Sequence, residues 1–227
     1  MSFRYEEQTK KHYQSDIVAE SYNDEYTNPK GLNGLRFKFI ANRERETLRR
    51  MLYRFSGSTI IDIPTGTGKM ASVFRDLDCK VMACDISPNM LSIARSVFEK
   101  EKTNVIDFRI LDLEVASSKI DDRFDVVVCI RLMHRVPNEI KIRMLNQISE
   151  IAPHAVVSFG IDSAYHRMRS GLRRIILGGV DAGRETRKSI QETKKLLAKD
   201  FDILERRYVA SVISSEVFFL LKSKVYK

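Results

Sequence analysis

The chain has 227 residues, enough for one domain with a large buried core, and 43% of them are hydrophobic. It carries 39 Lys and Arg against 30 Asp and Glu, a formal net charge of +9. No apolar run reaches the roughly 18 residues of a membrane span, and the charged N-terminal residues Arg4, Glu6 and Glu7 are not typical of a secretory signal. We therefore expect a single globular, cytoplasmic domain over residues 1–227.

Alternating apolar strands and helices predict an α/β fold with a mostly parallel sheet covered on both faces. Strands are predicted at 58–63, 80–85, 105–110, 124–130 and 154–160, and helices at 68–77, 88–100 and 138–151. Ser189 and Glu192 form a capping box that predicts a later helix, and strands near 201–210 and 215–224 predict an antiparallel hairpin. The three cysteines, Cys79, Cys84 and Cys129, fall in or beside the strands without metal-ligand spacing, so we expect reduced core thiols.

The run Ile60-Ile61-Asp62-Ile63-Pro64-Thr65-Gly66-Thr67-Gly68 predicts a turn that binds a nucleotide cofactor. An apolar strand ends at Asp62, glycines that allow close approach to the backbone follow, and a helix then opens. Asp85, at the end of the next strand, has the spacing of an acidic residue that holds a ribose hydroxyl. The glycine fingerprint is incomplete, and Met70 stands where a P-loop requires Ser or Thr, which excludes kinases and ATPases. A cofactor without a phosphate group therefore fits this turn better than one with a pyrophosphate.

Four ordered motifs, Asp62 to Gly68, Cys84 to Leu91, Leu111 to Leu113 and Phe124 to Cys129, together resemble the class I S-adenosylmethionine (SAM) methyltransferases. The resemblance implies a Rossmann-like seven-stranded sheet with an antiparallel C-terminal hairpin, and SAM as the cofactor. The cofactor-binding residues that it implies are Arg36, Asp62, Pro64, Gly66, Gly68, Asp85, Ile86, Asp112, Leu113 and Ile130. Asp62 and the glycine turn would approach the methionine end of SAM. Asp85 would hold the hydroxyls of the ribose. The adenine would contact Ile86, Asp112 and Leu113. Pro64 departs from the family, which carries glycine there.

The N-terminal segment, 1–54, resembles the helical cap of the ubiquinone-pathway O-methyltransferases. Those enzymes carry Asn-Pro-Leu-Arg where this chain has Asn33-Gly34-Leu35-Arg36. By that similarity Arg36 would bind the carboxylate of SAM through its guanidinium; a solvated arginine on a basic helix face is the alternative. Tyr22 and Tyr26 would share one helical face, either in the core or over the cofactor.

The loop after the fourth strand is where open α/β sheets bind ligands. In the ubiquinone-pathway enzymes the matching loop carries two glutamates and a histidine that look like metal ligands, and here those positions are Arg131, His134 and Arg135. Since two cations replace carboxylates, we expect no metal and an acceptor that is anionic or develops oxyanion character. His134 is the candidate base. A structural histidine is the alternative, with His166 as the reserve base.

A basic insertion, 165–200, lies between the core at 55–164 and the hairpin at 201–227, and holds ten Lys and Arg against four Asp and Glu. Residues 166–179 alternate basic and apolar side chains, which predicts a basic amphipathic helix. It could bind a phosphate or carboxylate, touch an anionic membrane surface, bind nucleic acid, or form a solvated lid. Nucleic acid is the least favoured reading, because the insertion has almost no aromatic residues for stacking.

These features favour a SAM-dependent methyltransferase that acts without a metal on an anionic small molecule, glycan or lipid-linked acceptor. Oxygen is favoured as the methylated atom over nitrogen or carbon. The alternatives are an RNA or nucleotide methyltransferase, a non-catalytic protein that binds SAM or a partner, and a nucleotide-dependent oxidoreductase. We expect a cytoplasmic protein. Peripheral contact with the inner membrane face is the alternative. The sequence does not predict the oligomeric state.

Overall fold

The computed structural model describes residues 31–162, 188–210 and 214–226. Its helices are α1 (Gly31–Leu52), α2 (Ala71–Asp76), α3 (Pro88–Glu101), α4 (Asn138–Ile151) and α5 (Ile190–Leu197). Its strands are β1 (Thr59–Asp62), β2 (Lys80–Asp85), β3 (Asn104–Ile110), β4 (Val126–Cys129), β5 (His154–Gly160), β6 (Phe201–Tyr208) and β7 (Glu216–Ser223). The predicted positions of Tyr22, Tyr26, His166 and the basic helix at 166–179 lie outside the described residues.

The seven strands of the described part form one sheet in the order β3-β2-β1-β4-β5-β7-β6. The first five are parallel, and β7 pairs antiparallel with both β5 and β6. The predicted sheet and its C-terminal hairpin are confirmed. From β1 the chain runs first to β2 on one side and later to β4 on the other, so the order reverses at β1. Ligands of open α/β sheets bind at such a switch point, beyond the carboxyl ends of the strands.

Both faces of the sheet are buried, because successive side chains of a strand point to opposite sides. Ile61, Met82 and Val127 pack into one hydrophobic cluster with α4. Their neighbours on the strands, such as Ile60 and Val81, pack into the other cluster with α1, α2 and α3. The parallel strands are therefore nearly continuous apolar runs in the sequence.

The cysteines lie within these two clusters as free, buried thiols, as expected. Burial raises the pKa of Cys79 to about 11 and that of Cys84 to about 12. Both are therefore neutral core side chains near neutral pH.

Side-chain caps fix two of the helix starts. The Ser87 hydroxyl accepts from the Met90 N–H at 3.3 Å, with Pro88 at the first helical position, so α3 begins directly after the end of β2. The predicted capping box at Ser189 and Glu192 is present at the start of α5. No helix within the described ranges combines the length and apolar character needed to cross a bilayer.

Candidate cofactor and acceptor site

A cavity opens at the carboxyl ends of β1, β2 and β4, where the topology predicts a ligand. Three carboxylates contribute to its wall, and three cationic side chains lie on the wall as well. The remaining lining is largely apolar. The charged lining residues are Asp62, Asp85, Asp112, Lys69, Arg131 and Arg135.

The turn after β1 brings its backbone to the end of β2. The Thr65 N–H donates to the Cys84 carbonyl at 2.7 Å, and the Gly66 N–H donates to Asp85 Oδ2 at 2.8 Å. Gly66 has φ +55, a conformation that costs an L side chain about 1–2 kcal/mol. Pro64 lines the cavity beside it and follows a cis peptide bond.

Asp85 is held rigidly at the cavity wall with 5% of its surface exposed. Its Oδ1 accepts from the Ser87 N–H at 3.0 Å, while Oδ2 accepts from Gly66. Burial raises the pKa of Asp85, and these N–H groups oppose that rise. A carboxylate has about four acceptor positions, so Asp85 keeps capacity to accept from the hydroxyls of a ribose. Its geometry fits the implied cofactor.

Asp112 follows β3 and caps a short 3₁₀ turn, Leu113–Val115, by accepting from the Glu114 N–H at 3.0 Å. Ile86 and Leu113 line the cavity on this side together with Asp112, and Ile130 lines it directly after β4. The apolar side chains offer faces for an aromatic base, and the carboxylate offers an acceptor for an amine. The residues predicted for adenine are therefore brought together.

Asp62 is the most deeply buried of the three carboxylates, with 2% of its surface exposed. The Thr65 hydroxyl donates to Asp62 Oδ2 at 2.7 Å. Burial raises the pKa of Asp62 to about 7, and the nearby charge of Asp85 acts in the same direction. A cationic ligand would favour the ionised carboxylate, and the sulfonium of SAM is such a cation.

Three predicted site residues are not among the described residues that line the cavity: Arg36, Gly68 and His134. A Cβ on Gly68 would lie 3.0 Å from the ring of Phe98, so this glycine allows the turn to pack against α3. Their assigned roles stay predictions. Sequence reasoning did not select Lys69, although it directly follows the glycine turn.

The loop after β4 brings two arginines, Arg131 and Arg135, to the lining of this cavity. Arg131 has φ +64, and its N–H donates to the Ser158 hydroxyl of β5 at 2.7 Å. Burial lowers the pKa of Arg135, and the charge of Glu216 opposes that effect. The cavity therefore has acidic groups toward β1, β2 and β3 and guanidinium groups toward β4. The expectation of a metal-independent reaction stays a prediction.

Comparison with known families finds one match over the central part of the chain. Residues 60–152, which run from β1 through α4, match the family described as methyltransferase domain. The matched range includes Asp62, Asp85, Asp112 and the loop with Arg131 and Arg135.

Two curated relatives match part of this chain. Ubiquinone biosynthesis O-methyltransferase of Xanthomonas campestris pv. campestris is 24% identical over 111 residues, which are 49% of this chain and 42% of that protein. The corresponding enzyme of Xanthomonas oryzae pv. oryzae is 25% identical over 37% of this chain and 34% of its own. The chain thus spans less than half the length of these curated relatives.

Solved structures share the fold at low sequence identity. Magnesium protoporphyrin IX methyltransferase from Synechocystis PCC 6803, with bound S-adenosylhomocysteine (SAH), has a TM-score of 0.80 at 14% identity. That match covers 95% of this chain and 98% of the other. The N-methyltransferase NodS from Bradyrhizobium japonicum WM9, also with SAH, has a TM-score of 0.61 at 14% identity over 91% and 98% of the two chains. The Rossmann-like class I fold is confirmed, and both of these structures contain SAH.

Proposed function

We propose that the chain is a SAM-dependent methyltransferase that transfers a methyl group, without a metal, to an oxygen of an anionic small molecule, glycan or lipid-linked acceptor. One observation carries this proposal. Arg131 and Arg135 line the same cavity as the three carboxylates that fit the cofactor. Guanidinium groups pair with carboxylates and phosphates through two parallel hydrogen bonds, so this wall suits an anionic acceptor.

The burial of Arg135 supports an anionic ligand. Taking a guanidinium out of water disfavours its charged form, which is why burial lowers the pKa of Arg135. An acceptor with a negative charge would reverse that effect and would be bound more tightly than its neutral counterpart. The same charges would stabilise an oxyanion that forms as a hydroxyl loses its proton.

Bound SAM supplies an electrophilic methyl group on a sulfonium, and the chain supplies position and a route for a proton. Asp85 and Asp112 would hold the nucleoside, while Arg131 and Arg135 would hold the acceptor in line with the methyl group. His134, in the same loop, would accept the proton of a hydroxyl acceptor. A carboxylate acceptor has no proton to lose, so it would need the arginines and not the imidazole.

The test is transfer of a deuterium-labelled methyl group from SAM to small molecules of a native extract, followed by mass spectrometry. We expect an anionic compound to gain the label, and Arg135→Gln to lower that labelling. Arg75→Gln is the matched control, because it removes one arginine that is bonded to Asp76 and Glu101 away from the cavity. Magnesium protoporphyrin IX belongs in the acceptor panel, because a methyltransferase named for that compound has a similar fold.

Labelling of RNA, or no labelling despite tight SAM binding, would refute the proposal. The first result would favour an RNA methyltransferase. The second would favour a non-catalytic SAM-binding protein.

A further inference from the structure

The segment after β3, which holds the predicted adenine contacts, rests against helix α4. Asp112 and Leu113 of this segment line the cavity, and so does Met144 of α4. Leu113 and Met144 also belong to one buried cluster, so apolar packing joins the segment to the helix. The position of the predicted adenine contacts therefore depends on how this segment is held on α4.

A polar stripe of α4 contacts the same segment. Arg143, Gln147 and Glu150 follow each other at intervals of four and three residues, so they lie on one face of the helix. The Ser117 N–H donates to Gln147 Oε1 at 2.9 Å, and the Ser117 hydroxyl donates to Glu150 Oε2 at 2.7 Å. The far end of the segment is thus bonded to the last two residues of the stripe.

The first residue of the stripe makes a charge-assisted contact. Arg143 Nε and Nη2 donate to Glu114 Oε1 at 3.0 Å and 2.6 Å. The side chain of Glu114 is 9% exposed, whereas that of Arg143 is 50% exposed. Two N–H groups on a nearly buried carboxylate hold that side chain more firmly than an ion pair in open solvent does.

Glu114 transmits this contact to the cavity wall through its backbone. Its N–H donates to Asp112 Oδ1 at 3.0 Å, and the Val115 N–H donates to the Asp112 carbonyl at 3.1 Å. The carboxylate of Asp112 is therefore oriented by the residue that Arg143 holds. A single intervening residue separates the guanidinium from a carboxylate of the cavity wall.

We propose that Arg143 is a positioning residue for adenine: by holding Glu114 on α4, it fixes Asp112 and Leu113 where they would contact the base. Arg143 and Glu114 are not among the described residues that line the cavity, so the effect on a ligand is indirect. Discrimination of the base rests on the SAM binding of the proposed function, whereas the ordering of the turn does not.

The first readout is amide hydrogen exchange of the full chain without ligand, followed by NMR. Arg143→Met removes the guanidinium but keeps an unbranched side chain of good helix propensity. We expect the N–H groups of residues 114 and 115 to exchange at least about tenfold faster in this variant, because the turn opens more easily. Arg75→Met is the matched control. It removes an arginine bonded to Asp76 and Glu101 away from the cavity, and it should leave both rates unchanged.

The second readout is recognition of the base. S-inosylhomocysteine differs from SAH in carrying an oxo group where adenine carries its amine. A fixed Asp112 carboxylate accepts from the amine and repels the oxo group, so the parent should bind SAH more tightly. We expect Arg143→Met to lower the ratio of the S-inosylhomocysteine Kd to the SAH Kd by at least about fivefold. Arg143→Lys, which keeps the charge with a different geometry, should give an intermediate ratio.

A second variant tests the same contact from the other side. Glu114→Gln keeps the shape of the side chain and removes its charge, so it should act in the same direction as Arg143→Met. The double variant should show little more than the effect of Arg143→Met alone, because both changes break one contact. Thermal unfolding checks the fold of each variant, and Glu114→Gln replaces Arg143→Met if the latter does not fold.

Unchanged exchange of the two N–H groups in a folded variant would overturn the proposal. So would an unchanged ratio of the two Kd values together with a lower unfolding temperature, which is the result of a contact that only stabilises the fold. A parent that binds neither ligand would refute the proposed SAM dependence alone. The exchange rates would still decide whether Arg143 holds the turn.

Discussion

The pKa of Asp62 connects the burial of this carboxyl group with cofactor binding. Its pKa is raised from 3.8 to about 7, chiefly by burial. Between about pH 4 and 7 the folded state therefore holds a proton that the unfolded state has lost. Because the folded pKa is raised, the free energy of unfolding falls as the pH rises through this window, by at most about 4 kcal/mol. We expect Asp62→Asn to flatten that dependence in urea unfolding.

The same titration predicts how binding depends on pH. With a pKa of about 7, about a tenth of Asp62 is ionised at pH 6 and about nine tenths at pH 8. If the ionised carboxylate faces the sulfonium, the affinity for SAM rises about tenfold over this range. SAH has the same amino and carboxyl groups but a neutral sulfur. The ratio of the SAH Kd to the SAM Kd therefore isolates the effect of the sulfonium.

Titration calorimetry at pH 6 and pH 8 measures this ratio. We expect it to increase with pH in the parent and to stay flat in Asp62→Asn. Binding of SAM at pH 6 should also release a proton, which appears as a heat that changes with the ionisation enthalpy of the buffer. A ratio that does not change with pH in the parent, or an equal slope in Asp62→Asn, would refute the reasoning.

Three further experiments test the turn, the base and a helix cap. Gly66→Ala and Gly68→Ala each introduce a Cβ at positive φ, which costs about 1–2 kcal/mol. Only the Cβ of Gly68→Ala also meets the Phe98 ring, at 3.0 Å. Urea unfolding should therefore show a larger loss of unfolding free energy for Gly68→Ala, and equal losses would contradict this packing. His134→Gln should lower single-turnover rates by about 100-fold or more while the Kd of SAM is unchanged, and full turnover would exclude the base. Ser189→Ala should cost about 1 kcal/mol of unfolding free energy, with the exposed Ser118→Ala near zero as the control.

The nucleoside side of the site could be predicted because it depends on local sequence. Asp62 and Asp85 each end an apolar strand, and parallel strands bring their carboxyl ends to one edge of the sheet. The Gly66 turn then follows directly from the strand before it. These relations need only short-range patterns and the spacing of the strands.

The support behind Arg131 could not be predicted in the same way. Glu44 Oε2 lies 3.6 Å from Arg131 Nη1 because α1 packs beside the loop after β4, and no local spacing connects the two residues. One signal was present in the sequence: Glu44 lies on the same helical stripe as Ala41 and Leu48, both of which are buried. A charged residue on an apolar stripe predicts a buried partner without identifying it. The left-handed backbone of Arg131 likewise depends on Ser158 in another strand.

The role of Arg36 at the cofactor carboxylate stays a prediction, because it rests on the resemblance alone. The similarity assigned this arginine to the cofactor carboxylate, whereas Lys69 is the cation that lines the cavity beside the glycine turn. Lys69→Met and Arg36→Met compare the two cations directly through their effects on the Kd of SAM. The assignment to Arg36 would be excluded if only Lys69→Met weakened binding.

Equilibrium binding of SAM to the full chain and to Asp85→Asn tests the central claim most directly. Asp85 accepts from two backbone N–H groups and faces the cavity, so its charge and geometry should decide the affinity for the ribose. Titration calorimetry should show one SAM per chain, binding at least about tenfold weaker to Asp85→Asn, and no binding of NAD. A parent that prefers NAD, or an Asp85→Asn variant that binds SAM as tightly as the parent, would contradict the account.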